Sequence, residues 1–413
     1  MISYEKAVLK NKLEVYTFPV NKNSSVVSVD IFYKVGSRNE VMGKSGIAHM
    51  IEHLNFKSTK NLKAGEFDEI VKGFGGVDNA STGFDYTHYY IKCSKANLDK
   101  ALWLFSELMQ NLNLKDEEFQ PERKVVFEER LWRTDNNPLG YLYFRLFNNS
   151  FLYHPYHWTP IGFKSDILNW DIKDIKDFHS IYYQPKNAIL TVSGDIEAKE
   201  VFSLAKKHFE NIKNTKKIPK IHQKEPKQDG AKRLIIKKDT DTQLLGIAYK
   251  IPNFKHKDIV GLSALAELLS SGKSSILQEI LVDKLGLVNE FYVFCNDSID
   301  ENLFIIVCVC NPKIKATVVE KEVLQILNNL KKGDIKEEDL KKIKNQVKRD
   351  FIFSLNTASS VANIYGDYLA RGDLKPLLNY ENNVEKLEKK DLISCAKKYF
   401  IEKNSTTIIL KKA

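Results

Sequence analysis

Two histidines and a glutamate stand close together in the segment SGIAHMIEHLNFK, residues 45–57. On an α-helix His49 and His53 are four residues apart and lie side by side on one face, where two imidazoles can hold one metal ion. Glu52 flanks the same face, where its carboxylate can accept a proton from an attacking water. The pattern is His-x-x-Glu-His, the inverted form of the zinc-protease motif, and it predicts a zinc-dependent hydrolase. Ser45 is predicted to cap the start of this helix.

A hydrolytic zinc site needs a third protein ligand and one open position for water. Glu129, in the helical segment PERKVVFEERLW, is the predicted third ligand. Glu122 lies seven residues earlier, which is about two helical turns, and is predicted to act beside Glu52 as a second carboxylate of the catalytic centre. The spacing alone leaves an alternative open, in which the histidines lie partly exposed on an amphipathic helix and both glutamates are ordinary surface carboxylates.

The overall composition is that of a soluble globular protein, with 43% hydrophobic and 28% charged residues. No apolar run reaches signal-peptide length or the roughly 20 residues of a membrane span, so a cytoplasmic location with no membrane contact is expected. The formal charge of +10 comes from lysines spread over many helices rather than one aromatic-laced stripe, and nucleic-acid binding is therefore not predicted. The five cysteines are scattered through mostly apolar segments and are expected to be reduced packing residues.

A length of 413 residues exceeds the size at which one core stops growing, so two domains are expected. The polar, lysine-rich segment 212–233 is the predicted linker between a metal-binding domain, residues 1–211, and a second domain, residues 234–413. A repeat supports this division, because KDIKDFHSIYYQPKN at 173–187 aligns with KDLISCAKKYFIEKN at 390–404, an offset of 390 − 173 = 217. Two copies of one α/β unit are therefore predicted.

Strand and helix patterns alternate in both halves of the chain. Strands come two or three in a row between helices, which predicts an α+β fold with mostly antiparallel sheets. The clearest predicted strands are LEVYTFPV, VVSVDIFYKVG, THYYIKC, LLGIAYKI and NLFIIVCVC, and the clearest predicted helices are ANLDKALWLFSELMQNL and TVVEKEVLQILNNLKKG. No Gly-rich phosphate loop follows a strand, so nucleotide binding is not predicted.

The metal-site residues give the chain a specific family resemblance. It resembles the M16 peptidases, the group of pitrilysin, insulinase and mitochondrial processing peptidase, in which the inverted motif is followed roughly 75 residues later by a Glu-x6-Glu pair whose second member is the third ligand. Here the interval from His53 to Glu129 is 129 − 53 = 76, and Glu122 with Glu129 supplies the pair. Further resemblance lies in GGVDNASTGFDYTHYYIKC, in YYQPKNAILTVSGD, and in LYHPYHWTPIG, whose His154 and His157 are expected to be structural.

The resemblance implies a fold, a cofactor and a substrate class. The fold is a LuxS/mitochondrial-processing-peptidase-like metallohydrolase with two homologous α/β halves arranged as a clamshell, and the cofactor is Zn²⁺, although manganese and cobalt also suit such ligands. The implied activity is hydrolysis of peptide bonds in unfolded peptides or small proteins. Substrate is expected to add as an extended strand beside Asn79, Ala80, Ser81 and Thr82, while His88 in the same region is expected to be packed.

The second half departs from the family pattern at two positions. Active members place an arginine and a tyrosine, seven residues apart, to stabilise the substrate carbonyl, and alignment on DKLGL puts Val282 and Asn289 at these positions. Valine has no donor, and asparagine is shorter and less acidic than tyrosine. A homodimer or heterodimer with a homologue that supplies the pair is therefore expected. The alternative is a non-catalytic structural or assembly subunit, since core subunits of respiratory complexes resemble this family without acting as proteases.

Overall fold

The structure is a computed structural model that describes residues 2–413. The strands are β1 Glu5–Val8, β2 Glu14–Pro19, β3 Val26–Tyr33, β4 Val77–Thr82, β5 Thr87–Ser94, β6 Ala188–Gly194, β7 Lys232–Lys238, β8 Leu244–Ile251, β9 Val288–Cys295, β10 Asn302–Cys310 and β11 Ser405–Lys412. The helices are α1 Ile47–Asn55, α2 Glu66–Gly73, α3 Leu98–Asn111, α4 Asp116–Arg130, α5 Pro138–Ser150, α6 Lys164–Asn169, α7 Ile172–Tyr182, α8 Ala198–Phe209, α9 Ile259–Ser270, α10 Ala316–Lys332, α11 Glu337–Ser354, α12 Ala358–Ala370, α13 Lys375–Leu378, α14 Tyr380–Glu385 and α15 Lys389–Tyr399.

The strands form two sheets with matching topology. The first sheet has the order β1-β2-β6-β3-β5-β4, and the second has the order β7-β11-β8-β10-β9. In the first sheet β2 and β6 are parallel, in the second β7 and β11 are parallel, and the other neighbours in both sheets are antiparallel. Apart from β1, the strands of the first sheet correspond one to one with those of the second. The predicted α+β fold with two homologous halves is therefore confirmed.

The sequence repeat corresponds to the same local structure in both halves. Helix α7, a short turn and strand β6 follow each other in the first copy, and α15, a short turn and β11 follow each other in the second. The Asn187 side-chain amide donates to the carbonyl of Tyr182 at 2.9 Å, and Asn404 makes the equivalent bond to Tyr399 at 2.9 Å. The repeated asparagine is therefore explained by a hydrogen bond to the end of the helix, which is buried in the first copy and part-buried in the second.

The chain divides into two compact units, and neither unit is one continuous run of sequence. The first contains residues 2–128, Trp158–His222 and Ile352–Leu378, and the second contains Glu129–His157, Gln223–Phe351 and Asn379–Ala413. The chain passes between the units inside the segment 212–233, but two further segments are exchanged. Helix α12, from the second half of the sequence, packs on β3 and β6 of the first sheet, and α5, from the first half, packs on β8 and β11 of the second.

These exchanged helices explain why the central strands are buried on both faces. All eight residues of β8 are buried, as are the last seven of β3. Gly366 of α12 lies so close to β3 that a Cβ would overlap the ring of Phe32. The five cysteines are all free and four of them are buried, as predicted for reduced packing residues. Among the helices of residues 2–413, none combines the length and the apolar character that crossing a membrane requires.

Candidate metal centre

Helix α1 carries the inverted motif on the face opposite its core contacts. Ile47, Met50, Ile51 and Leu54 recur at helical spacing and are buried in the core of the first unit. The packing of this face fixes the rotation of the helix, so that His49 and His53 both point away from that core. The two imidazole rings are nearly perpendicular, and their centroids lie 4.7 Å apart. The structure therefore places the two imidazoles side by side on one face of α1.

The start of α1 is held by a glutamate rather than by the predicted serine. Gly46 is the N-cap residue with φ +89, and a Cβ there would lie 2.7 Å from the carbonyl oxygen of Ile161. Glu40 accepts the amide hydrogens of Gly46 and Ala48, both at 2.8 Å. Burial raises the pKa of Glu40 well above its usual range, although these hydrogen bonds act in the opposite direction. Two otherwise unsatisfied amides of the first turn are thus satisfied by a side chain from outside the helix.

The prediction that Ser45 caps α1 is wrong. Its hydroxyl donates to Asp166 at 2.6 Å and accepts from the amide of Phe163 at 2.9 Å. Ser45 therefore ties the loop before α1 to the segment around α6. The cap position falls one residue later because Gly46 adopts the left-handed conformation, which a serine adopts only at a cost in free energy.

Glu129 lies beside the two histidines. One ligand atom of each of His49, His53 and Glu129 lies within 4.8 Å of the others. Glu129 belongs to the last turn of α4, whose preceding turns lie in the first unit. Its Oε1 atom also accepts from Arg133 at 2.8 Å, an ion pair between residues one helical turn apart. Two imidazoles and one carboxylate are the donor set of a catalytic zinc site, so these residues fit Zn²⁺.

Glu122 supports the site through His53. Its Oε1 lies 2.8 Å from His53 Nδ1, and its Oε2 lies 2.7 Å from the ammonium of Lys57. Because Nδ1 faces a carboxylate, we assign the ring proton to Nδ1, which leaves the lone pair of Nε2 for a metal. Burial acts to raise the pKa of Glu122, but the hydrogen bonds from His53 and Lys57 outweigh it and hold that pKa below its usual value. Glu122 therefore holds the ring of His53, a predicted ligand, and is outside the group of possible ligand atoms formed by His49, His53 and Glu129.

Glu52 is held by the edge strand of the first sheet. The hydroxyl of Thr82, the last residue of β4, donates to Glu52 Oε2. Side chains alternate along β4, so that Asp78, Ala80 and Thr82 are half-buried while Asn79 and Ser81 are exposed. Thr82, predicted to bind substrate, thus contacts the predicted proton acceptor. The β4 edge has no strand partner beyond it in the first sheet, and the assignment of residues 79–82 to substrate binding stays a prediction.

Three other histidines named in the sequence lie apart from the ligand atoms. His88 is buried, bonded to Asp30 at 2.8 Å and stacked on the ring of Phe32. His154 and His157 belong to the second unit, where His154 lies 3.0 Å from Asp300 and His157 Nδ1 lies 2.6 Å from the carbonyl oxygen of Phe151. Each therefore has a packing or hydrogen-bonding role in its own unit.

The two positions that depart from the family pattern also lie in the second unit. Val282 is a half-buried residue of the π-helical turn Gln278–Lys284, and Asn289 is an exposed residue near the start of β9. Strand β9 is the edge of the second sheet and corresponds to β4 of the first. No arginine or tyrosine stands at either position.

Two family models match the chain. The model described as "Insulinase (Peptidase family M16)" matches residues 17–149, and the one described as "Peptidase M16 inactive domain" matches residues 169–347. A Helicobacter pylori protein named zinc protease PqqE is 54% identical over 411 residues, covering 99% of this chain and 93% of that protein.

The chain belongs to peptidase family M16.

The proteins similar to this M16 chain carry the names of proteases and of a respiratory-complex subunit. A crystal structure of a protease from Helicobacter pylori superimposes with a TM-score of 0.97 at 55% identity, covering all of both chains. The cytochrome b-c1 complex subunit 1 of Bos taurus mitochondria is 23% identical, over 91% of this chain and 80% of that subunit. Membership of the M16 family therefore does not by itself decide between catalysis and a structural role.

The contact between Glu122 and His53 makes a prediction about metal affinity. Replacing Glu122→Gln is expected to weaken zinc binding by roughly 10- to 100-fold, because carboxylates that orient a ligating histidine contribute that much. A competition titration against a chelating dye measures the effect, and circular dichroism checks the fold. Glu128→Gln is the matched control, since Glu128 is exposed on the same helix. Unchanged affinity in Glu122→Gln would show that other contacts orient His53.

Three charged residues that contact the centre or its helix, Arg133, Lys57 and Glu40, were not predicted from the sequence. Arg133 is four residues after Glu129, and this helical spacing is a signal that the sequence offered. Lys57 is four residues after His53, and its contact with Glu122 depends on the packing of α1 against α4. Glu40 lies in the irregular segment before α1, where no local pattern points to a cap.

Proposed function

We propose that this chain is the metal-holding subunit of a zinc-dependent M16 endopeptidase that hydrolyses unfolded peptides or small proteins. The observation that supports it is the convergence of His49, His53 and Glu129 beside Glu52. These four side chains form the set that metal-assisted hydrolysis requires, namely three ligands and a proton acceptor. The name of the Helicobacter pylori relative, zinc protease, supports the same metal and reaction. A cytoplasmic location is part of the proposal.

The residues of the chain have distinct roles in this proposal. His49, His53 and Glu129 would hold Zn²⁺, which would supply Lewis acidity that polarises a peptide carbonyl and lowers the pKa of a water molecule towards neutrality. Glu52 accepts the proton of the attacking water and passes it to the leaving amine. The hydroxyl of Thr82 orients the Glu52 carboxylate, and Glu122 orients His53. The backbone of β4 pairs with an extended peptide and so accepts many sequences.

A partner subunit completes the proposed enzyme. Val282 and Asn289 stand where active M16 members have arginine and tyrosine, and neither offers an equivalent donor to the oxygen of the tetrahedral intermediate. Losing one such donor lowers the rate by about 100- to 1000-fold. We propose that an M16 homologue with the arginine and tyrosine at these positions supplies the donors in a heterodimer, because a second copy of this chain would carry the same valine and asparagine.

The test compares the chain alone with the chain bound to its partner. Protein purified from the native host with its M16 homologue is expected to hold about one zinc per metal-holding chain. It is also expected to cleave fluorogenic unfolded peptides at least about 100-fold faster than the isolated zinc-loaded chain, because donors for the oxyanion are restored. His49→Ala, which removes a ligand, is the control for metal dependence.

Two outcomes contradict different parts of the proposal. Fast cleavage by the isolated chain, unchanged by the homologue, would remove the need for a partner. Bound zinc without cleavage in any assembly would favour the non-catalytic alternative, which the similarity to cytochrome b-c1 complex subunit 1 also suggests.

A further inference from the structure

The third predicted ligand also forms an ion pair with an arginine. Arg133 Nε lies 2.8 Å from Glu129 Oε1, and the Glu129 side chain is only 17% exposed. A guanidinium that donates to a carboxylate oxygen attracts the electron density that this oxygen would offer to a metal ion. Two cations at one oxygen also repel each other. Oε2 is therefore the oxygen of Glu129 that is better suited to bind an ion.

The turn that carries Arg133 is fixed by buried contacts. Helix α4 is followed by a π-helical turn, Leu131–Asp135, and such turns are rare and frequent at functional sites. Arg130 forms an ion pair with Asp135 at 3.0 Å, and its side chain is 4% exposed. The same guanidinium lies 3.9 Å from the centre of the Phe144 ring on α5. These contacts hold both ends of the turn in place.

The backbone of Arg133 itself is packed against the start of α5. A Cβ at Gly140 would lie 1.9 Å from the carbonyl oxygen of Arg133, so this approach requires glycine. Asp135, which is two residues from Arg133, is engaged by Arg130. The packing therefore sets the backbone position from which the Arg133 side chain reaches Glu129, although that side chain is 64% exposed.

The number of oxygens that Glu129 supplies decides whether the predicted centre keeps an open position. A tetrahedral zinc site with two imidazoles and one carboxylate oxygen has a fourth position for water. Carboxylates can also bind a cation through both oxygens. A second oxygen from Glu129 would occupy the position that hydrolysis requires for water.

We infer that Arg133 is a positioning residue of the metal centre, which restricts Glu129 to one ligand oxygen and so keeps the fourth position open for water. The inference rests on the proposed function, because it concerns the same centre. A glutamate and an arginine at this spacing also stabilise a helix end. That role alone would leave the coordination of the ion unchanged when Arg133 is replaced.

The test uses Co²⁺ in place of zinc, because its visible absorption reports its coordination number. Four-coordinate Co²⁺ absorbs much more strongly than five-coordinate Co²⁺. The wild-type chain is expected to bind about one Co²⁺ with the strong four-coordinate spectrum. Arg133→Met is expected to bind as much Co²⁺ with the weak five-coordinate spectrum, because both oxygens of Glu129 are then available.

Crystal structures of the zinc-loaded proteins measure the same difference directly. One oxygen of Glu129 is expected within about 2.2 Å of the ion in the wild type, and both are expected near that distance in Arg133→Met. In the assembly with the partner subunit, Arg133→Met is expected to lower kcat roughly 10- to 100-fold, the usual effect of removing a residue that holds a ligand.

Three further variants serve as controls. Arg133→Lys keeps a cation that can reach Glu129 across one helical turn, and it is expected to restore most of the strong spectrum. Lys124→Met loses the same charge at an exposed position of α4, and its spectrum is expected to equal that of the wild type. His49→Ala is expected to lose Co²⁺ binding, which places the ion at the predicted centre.

The outcomes separate this inference from the proposed function. Strong spectra in both wild type and Arg133→Met, with one Glu129 oxygen at the ion in each structure, would overturn the inference alone. A weak wild-type spectrum with both Glu129 oxygens at the ion would do the same. The expected spectra without peptide cleavage in any assembly would support the inference and contradict the peptidase proposal. A wild type that binds no Co²⁺ would overturn both.

Discussion

Replacing Glu52→Gln is expected to lower kcat for peptide hydrolysis by roughly 100- to 10,000-fold, the contribution of a positioned general acid–base group. Glutamine has the shape of glutamate, and its carbonyl oxygen can still accept the Thr82 hydroxyl that holds Glu52 in the structure. It cannot accept the proton of the attacking water. The variant is therefore expected to keep its fold and its zinc while losing the chemical step.

The measurement uses the zinc-loaded assembly with the partner subunit, under single-turnover conditions, together with the zinc content of each protein. His49→Ala is the comparison variant, because it is expected to lose both zinc and activity, whereas Glu52→Gln loses activity alone. Thr82→Ser keeps a hydroxyl at the same place, so its kcat is expected to be much closer to that of the wild type than the kcat of Thr82→Val. If Glu52→Gln retained activity within a few-fold of the wild type, another group would have to be the proton acceptor.

Local sequence patterns were sufficient to predict the two sheets but not the exchange of helices between them. The repeated helix, asparagine and strand of residues 173–187 and 390–404 predicted two copies of one unit, and the matching strand orders confirm it. Amphipathic spacing in α5 and α12 shows that each helix buries one face. It does not show which sheet covers that face, because such packing depends on contacts between distant parts of the chain.

Spacing also explains why the sequence could predict that His49, His53 and Glu129 lie close together, and could not predict the residues that hold them in place. His49 and His53 are one helical turn apart, so the helix alone places them together, and the family resemblance supplied Glu129. The cap of α1 depends on Glu40, which reaches the helix from an irregular segment. The local sequence pattern predicted Ser45 as the cap, but its hydroxyl donates a hydrogen bond to Asp166, 121 residues away in the sequence.

Truncating Glu225→Ala is expected to lower the free energy of unfolding of the second unit by about 3–5 kcal/mol, the typical cost of breaking a buried ion pair. Glu225 lies in the predicted linker, yet its side chain is only 4% exposed. It accepts from the amides of Leu152, Tyr153 and His154 at 2.9–3.0 Å and from the ammonium of Lys250 at 2.8 Å. The truncation would leave the three amides without an acceptor. It would also leave the charge of Lys250 without a partner, and the Lys250 side chain is only 9% exposed.

This stabilisation depends on pH in a defined direction. Burial acts to raise the pKa of Glu225, but the bond from Lys250 and the three amides outweigh it and hold that pKa below its usual value. The ionised Glu225 therefore makes its full contribution to the free energy of unfolding above the pKa of an unfolded glutamate, about 4.3. This contribution is lost as the pH falls through the lower pKa that Glu225 has in the folded state. The difference between wild type and Glu225→Ala in urea unfolding is expected to be largest near neutral pH and to shrink below about pH 4.

Two further variants decide whether the ion pair is the cause. Glu301→Ala, at an exposed position of the same unit, is expected to unfold at the same urea concentration as the wild type, since surface truncations change stability by less than about 0.5 kcal/mol. Lys250→Met in the Glu225→Ala background is expected to recover part of the loss, because it removes the uncompensated buried charge and keeps the volume of the side chain. If the double variant were no more stable than Glu225→Ala, the loss would come from the three amides of residues 152–154, and Glu225 would act as a loop anchor rather than as an ion-pair partner.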